Sequence, residues 1–221
     1  MKNLILAIIF MALTIPCAMA RDVIPATVFG ENNQSWGVYQ ISAKSVNLYE
    51  EPDEASKEIK RLFWDDENTS DVDIDLADLF VLYLPARDLA LFEVADETED
   101  WVKIIYNRKT GDAAWLKKDD PLKFMTWGMF YNTYGRKYGL YQLKEAPKLS
   151  GILRASTDDY AQTVGELNMP KKINLTVIKG NWALVSVSDL DKYPKTGYVR
   201  WRGNNGEKYY FPKIKTITGV N

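Results

Sequence analysis

Few of the side chains in this sequence are equipped for chemistry. It contains no histidine, which removes Ser-His-Asp and Cys-His triads, His-ligated zinc and the usual proton switch near neutral pH. Its one cysteine, Cys17, lies in an N-terminal segment that reads as a removable leader. Thiolate chemistry and zinc–thiolate sites leave with it. What remains is carboxylates, hydroxyls, lysines and a rich set of aromatics. Asp71-x-Asp73-x-Asp75 has the spacing of a calcium loop, but such a loop needs Gly at its sixth position and Glu at its twelfth. Those positions hold Leu76 and Leu82. Val72, Ile74 and Leu76 alternate with the aspartates, and that pattern also describes a strand with one dry and one charged face. Such a charged edge resists sheet-to-sheet pairing. Asp65-Asp66-Glu67 and Asp158-Asp159 are adjacent acids in turns, and adjacent strand residues point apart. A hydrolase needs two carboxyls at a set separation across a cleft, and no Ser-x-x-Lys nucleophile is present. The expectation is a non-catalytic protein without cofactor or metal, with a small carboxylate-dependent hydrolase as an open alternative.

The densest aromatic tract runs from Phe124 to Tyr141. Within it, Trp127, Phe130, Tyr131, Tyr134 and Tyr138 are the candidate binding residues, because aromatics give large contact area at low entropy cost. The same rings suit a second use, filling the seam between two small β units. Gly128, Gly135 and Gly139 are spaced through the tract, and glycine at that density argues against a helix.

These residues need a scaffold, and the pattern of the chain supplies one. Lys2, the apolar run Leu4 to Ile15 and the small-x-small ending Ala18-Met19-Ala20 have the anatomy of a secretory signal peptide cleaved before Arg21. The apolar run is too short to be kept as a membrane span, which takes ~20 residues. Thr14-Ile15-Pro16 before Cys17 does not fit a lipoprotein signal. A secreted eukaryotic domain of this size tends to carry disulfides, so a bacterial periplasm is the expected address. The sequons at Asn33, Asn68 and Asn174 are then chance matches. Charge is uneven: Glu50 to Asp100 holds 18 acidic against 4 basic residues, and Trp101 onward holds 21 basic against 10 acidic. Within this stretch, the acidic insertion near residues 65–85 is a candidate dock for a basic partner within an envelope complex. The basic residues of the second half are scattered, so no nucleic-acid partner is expected.

Beyond the leader the chain is a succession of short alternating strands and turns. Asn107 to Asp112 has hairpin chemistry, and Tyr193 to Gly197 reads as a loop. Two halves share a grammar. Trp36-Gly37-Val38-Tyr39-Gln40-Ile41 returns as Tyr138-Gly139-Leu140-Tyr141-Gln142-Leu143. Leu48 to Glu54 matches Leu153 to Asp159, Trp101-Val102-Lys103-Ile104 matches Trp182-Ala183-Leu184-Val185, and Lys109-Thr110-Gly111 is set against Lys195-Thr196-Gly197. Duplication of a small β unit accounts for the order.

The repeated unit resembles the bacterial SH3-like (SH3b) domain family. The resemblance rests on Leu48-Tyr49-Glu50-Glu51-Pro52, Trp101-Val102-Lys103-Ile104 and Ala113-Ala114-Trp115-Leu116 in the first half. In the second it rests on Ile152-Leu153-Arg154 and Lys195-Thr196-Gly197-Tyr198-Val199. It spans most of residues 36–211. It implies an all-β chain of two tandem SH3-like small β-barrels, the first with an acidic insertion, that bind cell-wall peptides or envelope proteins. The expected division is a signal peptide over 1–20, a leader over 21–35, module one over 36–120, an aromatic linker over 121–137 and module two over 138–221.

Overall fold

The computed structural model describes residues 21–30, 35–65, 69, 74–167, 172–189 and 192–214. The expected signal peptide, Asp66, Glu67, Asp71 and Asp73 lie outside the described residues.

Alternating apolar residues and frequent turns produce an antiparallel β structure in two sheets. The first contains β1 (Gly37–Ile41), β2 (Ser45–Tyr49), β3 (Glu58–Phe63), β4 (Leu82–Leu84), β5 (Leu89–Glu97), β6 (Trp101–Asn107), β7 (Asp112–Lys117) and β8 (Phe124–Thr126). The second contains β9 (Leu140–Gln142), β10 (Ile152–Arg154), β11 (Thr163–Glu166), β12 (Lys172–Lys179), β13 (Trp182–Asp189), β14 (Lys192–Arg200) and β15 (Tyr210–Pro212). Neither sheet closes into a barrel; each runs as an open path. The expectation of closed barrels is corrected on this point.

Connectivity repeats strand for strand. The first sheet runs β3-β2-β7-β6-β5-β1-β8 and the second β11-β10-β14-β13-β12-β9-β15. The same substitution of labels converts one into the other throughout, and the first copy adds β4 beside β5. Register repeats as well. Trp101 faces Lys117 and Ile104 faces Ala114, as Trp182 faces Arg200 and Val185 faces Gly197. Tyr39 faces Phe124 on the closing strand, as Tyr141 faces Phe211. This register moves one of the matches made by sequence. Thr196-Gly197 corresponds to Ala113-Ala114 inside a strand, while Thr110-Gly111 is the turn of the preceding hairpin, with Gly111 at φ +80°. Lys192 to Arg200 is a continuous strand, so the expected loop at Tyr193–Gly197 is absent. Pro194 falls where the register of the β13–β14 pairing shifts, and an irregular ladder tolerates its missing donor.

Two local expectations fail for identifiable reasons. Ile74 to Asp78 does not continue as a strand. Asp75 Oδ1 accepts the Ala77 amide at 2.9 Å and caps α1 (Leu76–Leu79), because an aspartate that can bond its own backbone competes with the ladder. The aromatic tract is helical from Trp127 to Tyr138. It runs as α2 (Trp127–Phe130), a π-helical turn over Tyr131–Gly135 and α3 (Arg136–Tyr138). Burial of its rings outweighs glycine's propensity cost of about 1 kcal/mol. Gly135 has a positive role: a Cβ there would lie 2.9 Å from Leu175 and 3.0 Å from Leu140.

The core has two parts. Tyr39, Ile41, Leu48, Trp64, Phe80, Phe92 and Ile104 belong to a cluster within the first copy. A second cluster joins Val38, Leu82, Leu84, Leu89 and Leu91 of the first copy to Leu140, Leu175, Val185 and Trp201 of the second, with Trp127, Phe130 and Tyr131 between. Strand alternation explains the division. Along β5, Ala90, Phe92 and Val94 face the first core, while Leu89 and Leu91 face the seam. Residues 21–30 strap the two copies together. Val23 exchanges backbone hydrogen bonds with Tyr83 of the first copy, Val28 donates to Lys144 of the second, and the Lys208 amide donates to Phe29.

Candidate functional site

The five aromatics singled out by sequence separate into two groups. Trp127, Phe130 and Tyr131 are at most 1% exposed and present no surface to a ligand. Thr126 Oγ1 caps the helix that carries them. Their rings pack against one another and against Phe211 and Trp201, with Tyr131 and Trp201 centroids 4.3 Å apart. Trp127 Nε1 donates to Ser35 Oγ at 2.8 Å. The Tyr131 hydroxyl donates to the Tyr210 carbonyl, and burial pushes its pKa well up. Truncating such a ring costs about 3–5 kcal/mol, so these three residues are architecture. Tyr134 packs at a tilt against Phe130 and is half-buried, and Tyr138 stacks on it at 6.4 Å, with their planes 18° apart. The Lys137 hydrogen bond, then the positive charges of Lys137 and Arg87, hold the Tyr138 phenol below its ordinary pKa.

The tyrosines of the repeated phrase are also structural. The Tyr39 hydroxyl bonds the Asp119 side chain and receives the Asp119 amide at 2.9 Å, tying down the exit of β7. The Tyr141 hydroxyl donates to the Pro25 carbonyl of the strap.

The two copies can be superposed through their strands, and the loop after β2 matches the loop after β10. Glu50 N donates to Lys57 O, as Ala155 N donates to Gln162 O. Asp53 Oδ1 accepts the Ala55 amide at 2.8 Å, as Asp158 Oδ1 accepts the Tyr160 amide at 2.8 Å. Glu54 pairs with Lys117, as Asp159 pairs with Arg200. An acid in the loop therefore locks it to the strand in both copies. It also accounts for Asp158-Asp159: one carboxylate shapes the turn and the other is held two-pronged by Arg200, with Nε–Oδ1 at 3.0 Å. Among the described residues no three of His, Cys, Asp and Glu are grouped to hold a metal ion.

One neighbourhood in which the second copy departs from this shared frame is the loop after β10. Position 55 is alanine, and its counterpart is Tyr160, 97% exposed. Leu48 lies nine positions after Tyr39, but Leu153 lies twelve after Tyr141. The longer connection carries Pro147 and Leu149, the latter 70% exposed. Both additions line one open groove of about 700 Å³, whose other walls include Arg154, Asp159, Arg200, Asn204 and Tyr209. Arg200 lies over the Trp182 ring at 4.8 Å and also donates to Asn204 Oδ1 at 3.0 Å. Arg154 Nη1 donates to Ala161 O and Thr163 Oγ1, both at 3.1 Å. Gly203 lacks the Cβ that would strike the Tyr209 hydroxyl at 2.4 Å, so the phenol can lie along the groove wall. The arrangement is two apolar surfaces, from Tyr160 and Leu149, facing ordered guanidinium and amide groups.

No known protein family matches the sequence, and no curated protein resembles it to a significant degree. The functional reading therefore rests on the geometry. Sequence reasoning missed the groove. Its signal was present in the aligned halves: the three extra residues before Leu153 and the tyrosine opposite Ala55.

Proposed function

We propose that this is a secreted, periplasmic binding protein without catalytic activity, made of two SH3-like modules. In this account the groove of the second module recognises a cell-wall fragment or an extended segment of an envelope protein. The observation that carries the reading is the placement of the differences between the copies. The second copy keeps the strand frame and the locked loop, and its added connection and Tyr160 converge on the groove. An aromatic ring left almost wholly in water gains about 2 kcal/mol when a ligand covers it. Arginine, asparagine and backbone groups around it suit the amide and carboxylate chemistry of peptides and the hydroxyls of sugars.

The test is retention on purified peptidoglycan and, in parallel, capture of a defined envelope protein. Either form of binding should be lost in Tyr160→Ala and kept in Tyr193→Ala, which removes an equally exposed tyrosine elsewhere. Retention that is indifferent to Tyr160 rejects the groove, and failure of both forms of binding rejects the function.

A further inference from the structure

A second surface, apart from the groove, carries its own chemistry. Where α3 ends, Gly139 at φ +79° turns the chain into β9, and a Cβ there would meet the Ile173 carbonyl at 2.8 Å. This turn fixes three side chains around one depression. Tyr138 stands before it, Lys172 enters through β12, where Ile173 pairs with Leu140, and Lys213 follows from its amide bond to Gly139 O at 2.9 Å. The depression holds about 220 Å³ and is lined by Tyr138, Gln142, Lys172 and Lys213, with no acidic residue in its wall. Two more cations flank the same phenol. Lys137 Nζ and the Arg87 guanidinium lie 5.1 and 5.8 Å from the Tyr138 ring centre.

Several bases of the protein are paired, and among its described residues these four are not. Lys117, Lys118, Lys123, Arg200 and Lys208 each meet a carboxylate. Among the described residues, Arg87, Lys137, Lys172 and Lys213 meet none within ion-pair distance. Asp22 is the acid that feels the charge of Arg87, and it makes no such contact with it. Arg87 Nε is moreover buried and has no hydrogen-bond partner.

We propose that this corner is an anion-binding site, in which Lys172, Lys213, Lys137 and Arg87 surround an oligoanionic ligand whose charged groups are carboxylates or phosphates. The depression seats one charged group, with the Tyr138 hydroxyl and the Gln142 amide as neutral donors. Lys137 and Arg87 hold the next group along the rim. Charge-assisted bonds of this kind are short and strong but weaken with salt wherever solvent reaches them.

The experiment uses the mature chain and three fluorescent probes: oligoglutamate, oligophosphate and uncharged dextran of similar size. At low salt an oligoanion binds, dextran does not, and added sodium chloride weakens the complex. The double variant Lys172→Gln/Lys213→Gln, which alters only exposed side chains, weakens it about tenfold or more. Tyr138→Phe keeps the ring and weakens it less. Tyr160→Ala leaves it unchanged, which separates this site from the groove. Binding of oligoglutamate alone assigns carboxylate as the source, and binding of oligophosphate alone assigns phosphate. The proposal is overturned if neither anion binds, or if the double glutamine variant binds as tightly as the native chain.

Discussion

Glu93 and Lys208 meet between the two sheets, Oε1 to Nζ at 3.3 Å, each side chain only 1% exposed. Glu93 comes from β5 of the first copy and Lys208 from the approach to β15 of the second. Arg108 Nε adds a longer contact to the other carboxylate oxygen at 3.4 Å. Lys208 Nζ also lies 4.5 Å from the Trp127 ring centre and 5.4 Å from that of Phe29. Burial lowers the Lys208 pKa, and the Glu93 charge opposes that effect. In the second copy the position of Glu93 is Ile173, since Val38 faces Glu93 as Leu140 faces Ile173. The ion pair is therefore an addition to the repeated frame at the place where the copies join.

Breaking this pair on one side should be costly and replacing both sides much less so. Glu93→Ile and Lys208→Met each leave a buried group without its partner and should lower stability by about 3–5 kcal/mol in urea denaturation. The double change Glu93→Ile with Lys208→Met installs the apolar solution of the second copy. It should be more stable than either single variant, because Arg108 keeps its bonds to the carbonyls of Ala77 and Phe80. Additive losses would show that the pair is not coupled.

The glycine of the repeated phrase serves close approach of backbones in both copies. A Cβ on Gly37 would lie 2.1 Å from the Met125 carbonyl, and one on Gly139 would lie 2.8 Å from the Ile173 carbonyl. Gly37→Ala and Gly139→Ala should each cost about 1–3 kcal/mol by forcing strands apart. Gly139→Ala adds left-handed strain of about 1–2 kcal/mol. Gly111→Ala, with open space around it, bears only the strain. Thermal melts of the three variants check the order: Gly111→Ala should melt highest.

Buried phenols set the alkaline limit. Burial raises the pKa of Tyr131 and Tyr210, and also of Tyr39 and Tyr141, above the ordinary value of 10.0. Above that value the unfolded chain ionises first and binds fewer protons than the folded one. Stability is then fully present below pH 10 and falls as pH rises toward the folded values. Each fully buried tyrosine contributes a slope of about 1.4 kcal/mol per pH unit. Urea denaturation across this range should show the fall, and Tyr210→Phe should make it shallower. Native-state tyrosinate absorbance that titrates fully near pH 10 would contradict it.

The strands and the duplication were legible in the sequence because each depends on local alternation and on landmarks that recur in order. Trp101 and Trp182 do begin equivalent strands. The helix at Trp127 was not legible, since its glycines argue locally for a turn and only the tertiary burial of Trp127, Phe130 and Tyr131 overrides them. Asp75 misled for a related reason: an alternating aspartate looks like a strand residue until its side chain caps a helix. The Lys109-Thr110-Gly111 match failed because a turn and a strand can share three residues by chance, and only hydrogen-bond register separates them. Arg87 and Lys213 were invisible as partners of Tyr138, because fifty or more residues of chain separate each of them from it, and β sheets bring such positions together without a sequence trace.

The claim that the second copy's groove is the binding surface is tested most directly by nuclear magnetic resonance. The ¹⁵N-labelled mature chain is titrated with soluble peptidoglycan fragments, and in a parallel arm with peptides from the captured envelope protein. The account predicts shifts centred on Tyr160, Arg154, Asn204 and Tyr209, with the equivalent first-copy residues around Ala55 and Tyr49 unmoved. Shifts confined to the first copy, or spread equally over both loops, would contradict it.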